Sequence, residues 1–136
     1  MIKVIIGEKG TGKTRRMVEM ANAALEESKG EIVFVNGDNR HMIDLKHQIR
    51  FINAREFDVL ELDVFYGFLS GLIARNYDTD QIYIDGLLDI VKGDLKAIEQ
   101  FMFDVKSLSE KYDIRFFITM NGDPDNVPSF LKEYIA

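Results

Sequence analysis

Between a short apolar run and an amphipathic stretch, the chain carries GEKGTGKT at residues 7–14. No other segment restricts the fold so strongly. Three glycines in eight residues let the backbone double back with its N–H groups turned inward, which makes an anion-binding concavity. The helix predicted immediately after it adds the positive end of its dipole. The preceding run, IKVII at 2–6, is mostly β-branched, as a strand buried on both faces requires. The pattern G-x-x-x-x-G-K-[ST] then has a mechanical reading. Gly7, Glu8, Lys9, Gly10, Thr11 and Gly12 form the cradle, Lys13 reaches the β- and γ-phosphates, and the Thr14 hydroxyl ligates Mg²⁺. Arg15, directly after the loop, joins these candidates.

The rest of the chain alternates between the two hydrophobic periods. Residues 12–29 space Met17, Ala21, Ala24 and Leu25 as a helix, and Lys29-Gly30 ends it. IVFV at 32–35 reads as a second buried strand, closed by the turn NGDN. Residues 41–53 read as helical, with Met42, Leu45, Ile49 and Ile52 on one face. FDVLEL at 57–62 fits either a short strand or a connection. Phe65, Phe68, Leu69, Leu72 and Ile73 make a helix face ending near Asn76, and QIYI at 81–84 is the third clear strand. A long helix is expected over 94–111, IRFFIT at 114–119 is the fourth clear strand, and a short helix follows Pro128. Alternation of this kind implies an α/β three-layer sandwich around a mainly parallel sheet of four or five strands, with ligands beyond the carboxyl ends of the strands.

Composition narrows the setting. The 136 residues read as a single domain, 46% hydrophobic and 29% charged, with no cysteine for a disulfide or a thiolate site. No apolar run approaches the ~20 residues of a membrane span and no signal-peptide pattern opens the chain, so a cytoplasmic protein without membrane contact is expected. The net charge of −6 is uneven: residues 1–56 carry +2 and residues 57–136 carry −8. An acidic half disfavours broad nucleic-acid binding, which needs a basic face. KHQIRF at 46–51 is the one basic stretch with an aromatic, and a solvated helix with one buried stripe is the plainer account of it. His41 and His47 stand six apart, which is not metal-ligand spacing on a helix.

QIYI ends in Asp85, where a sheet of this kind places its ligands. With the glycine loop upstream, this is the pattern of a metal-holding aspartate. At this point the chain resembles the P-loop NTPases over nearly its whole length: residues 7–14 match their Walker A motif and residues 82–85 their Walker B motif. Among them it is most similar to the RecA/KaiC-type ATPases. In that group a strand after the first helix ends in a catalytic glutamate, the Walker B aspartate leads into a long helix, and the next strand ends in a polar sensor. FVNGD (34–38), YIDGLLDI (83–90) and FFITMN (116–121) resemble these three features. The resemblance implies a minimal RecA-like fold that binds ATP, or another nucleoside triphosphate, with Mg²⁺ held by Thr14 and Asp85. It implies sensor roles for Thr119 and Asn121. The glutamate position falls on Asp38, one methylene shorter, and Gly86 follows Asp85 where helicases carry Asp-Glu.

Hydrolysis needs a water-positioning group and charge neutralisation at the γ-phosphate. Asp38 is the candidate for the first, beside Lys13 in the catalytic set, with Glu61 and Asp63 in reserve. Arg15, Arg16, Arg40, Arg50 and Arg75 are the arginines to consider for the second, and none stands out. The expected function is a slow ATPase or a nucleotide-dependent switch, acting with a protein partner or as a homo-oligomer. A non-hydrolysing nucleotide-binding module and a small P-loop kinase are the alternatives. The kinase is disfavoured because no arginine lies between Asp85 and Ile114, a stretch that reads as one uninterrupted helix. The aromatic stretch DVFYGFLSGL (63–72) is mostly core, with any exposed remainder suited to a protein contact.

Overall fold

The computed structural model describes residues 1–135. A single sheet of five strands, all parallel, runs in the order β1-β5-β4-β2-β3. The strands are β1 (Ile2–Gly7), β2 (Glu31–Asn36), β3 (Arg50–Asn53), β4 (Thr79–Ile84) and β5 (Arg115–Asn121). Helices α1 (Lys13–Ala24), α2 (Leu62–Arg75), α3 (Leu87–Ile90) and α4 (Leu95–Tyr112) connect them, and a 3-10 segment, Ser129–Tyr134, follows β5. No helix among the described residues is long and apolar enough to cross a membrane.

Period-two alternation along buried strands divides the core into two clusters. Val4, Val33, Val35, Ile82, Ile84, Phe116 and Ile118 face α2 and α4, packing with Phe65, Leu69, Met102 and Val105. Their chain neighbours Ile5, Ile32, Phe34, Tyr83 and Phe117 face the other way, against Met17, Val18 and Ala21 of α1. Helices therefore cover both faces of the sheet. The turn from α1 into β2 runs so close to β4 that a Cβ on Gly30 would stand 2.1 Å from the Asp78 carbonyl oxygen, a place only glycine can occupy. At the start of α4, Asp94 caps the helix by accepting from the Ala97 amide at 2.8 Å.

Two expectations change. Residues 41–53 are not a helix: a short 3-10 turn, Met42–Asp44, leads through an irregular segment into β3. The apolar spacing in this stretch reports burial on two different sides. Leu45 and Ile49 pack toward α1 and Ile52 packs toward α2, a division no single helix face can serve. Met42 is exposed. Asn22 of α1 fixes the irregular stretch, its side chain donating to the Asp44 carbonyl (2.9 Å) and accepting from the Lys46 amide (2.8 Å). The stretch between Asp85 and Ile114 is likewise interrupted, because α3 ends at Ile90 and Lys92 bridges to Glu61 before α4 begins. FDVLEL resolves into the end of a 3-10 turn, Ala54–Phe57, followed by the connection into α2.

Candidate functional site

Register alone brings three asparagines, Asn36, Asn53 and Asn121, to one rim of the sheet. Gly7 pairs with Asn121 across β1 and β5, Ile84 pairs with Ile118 and with Val35, and Asn36 pairs with Asn53. The next positions along these strands, at their carboxyl ends, deliver the glycine loop, Asp85 and Asp38 to a common edge. Because β5 lies between β1 and β4, Thr119 stands between the loop and Asp85.

The loop itself bends through Gly10 and Gly12, whose φ values of 83° and 86° lie in the left-handed region. Glu8 offers its carbonyl inward, accepting from the Thr11 hydroxyl at 2.7 Å and from Lys13 Nζ at 2.8 Å. Lys13 is thereby folded back over the loop with its ammonium held at the cradle. No side chain caps α1 and no acid sits in its first turn, so its leading amides are left for an anion.

Asp85 is the centre of the polar network. The residue is 4% exposed, and its carboxylate accepts three hydrogen bonds: from the Thr14 hydroxyl (2.7 Å), Asn36 Nδ2 (3.3 Å) and the Thr119 hydroxyl (2.8 Å). Thr119 in turn accepts from the Gly86 amide at 2.7 Å, which fixes the backbone just after the aspartate. Every donor around Asp85 is neutral, and no lysine or arginine pairs with it among the described residues. A buried carboxylate without a protein cation, touching a threonine hydroxyl, suits a metal ion that arrives with its own phosphate ligands. Mg²⁺ takes one or two carboxylates and completes its shell with phosphate and water, so it needs no larger protein cluster.

A cavity of about 550 Å³ opens over this network. The glycine loop forms one wall, with Lys9, Gly10, Gly12, Lys13, Thr14 and Arg15 on it, and Asp85, Thr119 and Asn121 form the floor. Gly7, Glu8 and Thr11 face a second depression of about 510 Å³ on the other side of the loop, bordered by Arg16, Asp123 and Asp125. Asn121 contacts Asp89 Oδ2 at 3.5 Å. Asp38 lies at the cavity edge and is engaged by Arg40, whose backbone amide (2.9 Å) and side chain (3.0 Å from Nε) both donate to it. These bonds hold the Asp38 carboxyl below the usual carboxylate range.

Other sequence candidates lie elsewhere. Glu61 and Asp63 line a separate, more apolar groove of about 690 Å³ between α2 and α4. Arg75 pairs with Glu31 at the amino end of β2, opposite the site. Arg15 faces the cavity but also pairs with Glu19 on the exposed face of α1. Four polar residues that sequence reasoning did not place here also line the cavity: Asn36, His41, Asp89 and Arg55. Asn36 is signalled only as the polar end of an apolar strand, and Arg55 depends on β3, which the sequence disguises as helix. No protein-family model matches the chain, and no curated protein matches it significantly.

Proposed function

We propose that this chain is a P-loop NTPase of RecA/KaiC-like pattern that binds ATP with Mg²⁺ over residues 7–14. In this reading the loop amides and Lys13 hold the phosphates, and Thr14 and Asp85 hold the metal. The observation that carries it is the contact between Thr14 and Asp85, two residues 71 positions apart whose joint use is the binding of a metal–phosphate complex. When bound, Mg²⁺ would neutralise negative charge on the phosphate tail. The second depression, beside Arg16, has room for the nucleoside.

Turnover in this reading is slow. Asp38 is the one carboxylate at the glutamate-like position, and Arg40 occupies it with two hydrogen bonds. A carboxylate held below its ordinary pKa is a poor base for a water proton. A site that binds well and hydrolyses slowly serves as a nucleotide-dependent switch, working in the cytoplasm with a partner chain or a second copy of itself. The non-hydrolysing module is the second reading, favoured by the same Asp38–Arg40 pairing.

Phosphate release from the purified protein, measured with and without Mg²⁺, tests the proposal. Slow release that requires Mg²⁺ supports the ATPase. ATP binding with no release supports the module, and release of γ-phosphate only when an acceptor is added supports a kinase. Absence of any nucleotide binding ends the reading altogether.

A further inference from the structure

We infer that Arg55 is a terminal-phosphate contact supplied within the chain, and that it lets the site distinguish a nucleoside triphosphate from a diphosphate. The inference rests on the nucleotide-binding reading above and names a residue that reading does not require.

The cations facing the cavity are not equivalent. Arg15 is paired with Glu19 (3.3 Å), and Arg40 with Asp38 (2.9 Å). Lys13 is bonded to the carbonyl of Glu8. Lys9 rides on the glycine loop itself. Arg55 faces the same cavity from the opposite wall, and among the described residues it has no carboxylate partner. Its one hydrogen bond from the guanidinium is Nη2 to the Asp89 carbonyl at 3.1 Å. A guanidinium carries five N–H donors in a planar fork, so most of its capacity is left for an anion.

Arg55 is also held in place. It stands two residues past the end of β3, in the Ala54–Phe57 turn. Asn53 accepts from the Arg55 amide at 3.1 Å, and Ala54 beside it is buried. The Arg55 side chain then crosses Gly37, where Nε stands 3.4 Å from the position a Cβ would take, and ends on α3. The backbone is thus anchored and the side chain is pinned at its far end, with little ordering left to cost on binding.

Position decides which phosphate it meets. The loop and Lys13 approach a bound tail from the β1 side of the sheet, and Thr14 with Asp85 marks the metal. Arg55 comes from β3, beyond β4 and β2 in strand order and roughly 10 Å across the sheet from β4 at the usual strand spacing. It therefore faces the end of the tail remote from the loop, which is the group that ATP has and ADP lacks. Arginine is suited to that contact because its fork matches phosphate oxygens two at a time.

The test is equilibrium titration of fluorescent ATP and ADP analogues, with Mg²⁺, into wild type, Arg55→Ala and Arg55→Lys, alongside melting of the nucleotide-free proteins. Arg55→Ala is expected to weaken ATP binding roughly 10- to 100-fold, as for a lost charge-assisted hydrogen bond, while ADP affinity stays within twofold. Arg55→Lys, which keeps charge but not the fork, should fall between the two for ATP and leave ADP unchanged. An equal loss for ATP and ADP, or a lowered melting temperature that accounts for both, makes Arg55 only a clamp on Asp89 and overturns the inference. Unaltered ATP affinity in both variants also overturns it. Wild type that binds neither nucleotide removes the phosphate-site reading itself, a different failure from loss of discrimination.

Discussion

The Thr14 hydroxyl lies 2.7 Å from Asp85 Oδ2, so the first turn of α1 and the end of β4 share a hydrogen bond across the mouth of the site. Thr14 is the donor here, and in the proposed reading Thr14 and Asp85 are the residues that would hold a metal ion. The pair is therefore expected to govern metal dependence rather than nucleotide binding as such. In wild type, chelating Mg²⁺ should weaken ATP binding by at least about tenfold, about 1.4 kcal/mol. Asp85→Asn should bind ATP with nearly the same affinity in Mg²⁺ and in EDTA. A variant that keeps the full Mg²⁺ response would remove Asp85 from the metal site.

Asp38 offers a separable prediction. It lines the cavity edge but makes no contact with the Asp85 network, its hydrogen bonds going to Arg40. Asp38→Asn should leave ATP affinity within about twofold while lowering phosphate release measurably but by less than roughly 10²-fold, because Arg40 already weakens Asp38 as a base. Single-turnover measurements separate the two effects. Equal rates for variant and wild type would take Asp38 out of the mechanism.

Two glycines should respond to alanine with opposite sign. Gly12 has a φ of 86° with no atom within 4 Å of an added Cβ, so the strain of Gly12→Ala is purely conformational. It should cost about 1–2 kcal/mol, read from urea unfolding. Gly71 lies inside α2, also with open space at its Cβ. Gly71→Ala should stabilise by about 0.5–1 kcal/mol because glycine is a poor helix residue. Unchanged stability in Gly12→Ala would contradict the strain assigned to its left-handed backbone, and destabilisation by Gly71→Ala would contradict the helix-propensity argument.

Tyr83 makes an alkaline prediction. It is buried between Phe34 and Phe117, with ring centroids 6.0 and 4.6 Å away, and donates to Gln81 at 2.7 Å. Burial pushes its phenol up to about 12. The folded value lies above the ordinary value of 10, so the unfolded chain loses this proton first. The stabilisation is complete below pH 10 and is lost as pH rises toward 12, amounting to about 1 kcal/mol by pH 11. Urea unfolding at pH 9 and pH 11 should show that much less pH sensitivity in Tyr83→Phe than in wild type. Identical slopes would contradict the assignment.

What the sequence disclosed, and what it hid, follows from how local each signal is. The glycine loop and the Asp85 strand end are local patterns, and each reads directly from a few residues. The long helix over Leu95–Tyr112 is equally plain because its apolar positions repeat for five turns and Asp94 marks its start. Residues 41–53 mislead for a physical reason. Leu45, Ile49 and Ile52 are all buried, at helical intervals, but against opposite faces of the sheet. A four-residue strand is too short to display its own alternation against that pattern. With β3 disguised, Arg55 had no place in the site, although it is only five residues from Arg50. Strand order was also out of reach: that β5 lies between β1 and β4, putting Thr119 on Asp85, is decided by packing among distant segments.

Lys13 tests the central claim most directly. Its ammonium rests on the Glu8 carbonyl inside the loop, 2.8 Å away, and in the proposed reading an incoming phosphate oxygen would replace that carbonyl as acceptor. Calorimetric titration of Mg²⁺–ATP into wild type and Lys13→Ala, both checked for an unchanged fold by circular dichroism, gives the answer. One site per chain in wild type, with affinity lowered roughly 10- to 100-fold in Lys13→Ala, is the predicted result. No binding to wild type at millimolar ATP, or equal affinity in both proteins, would contradict it.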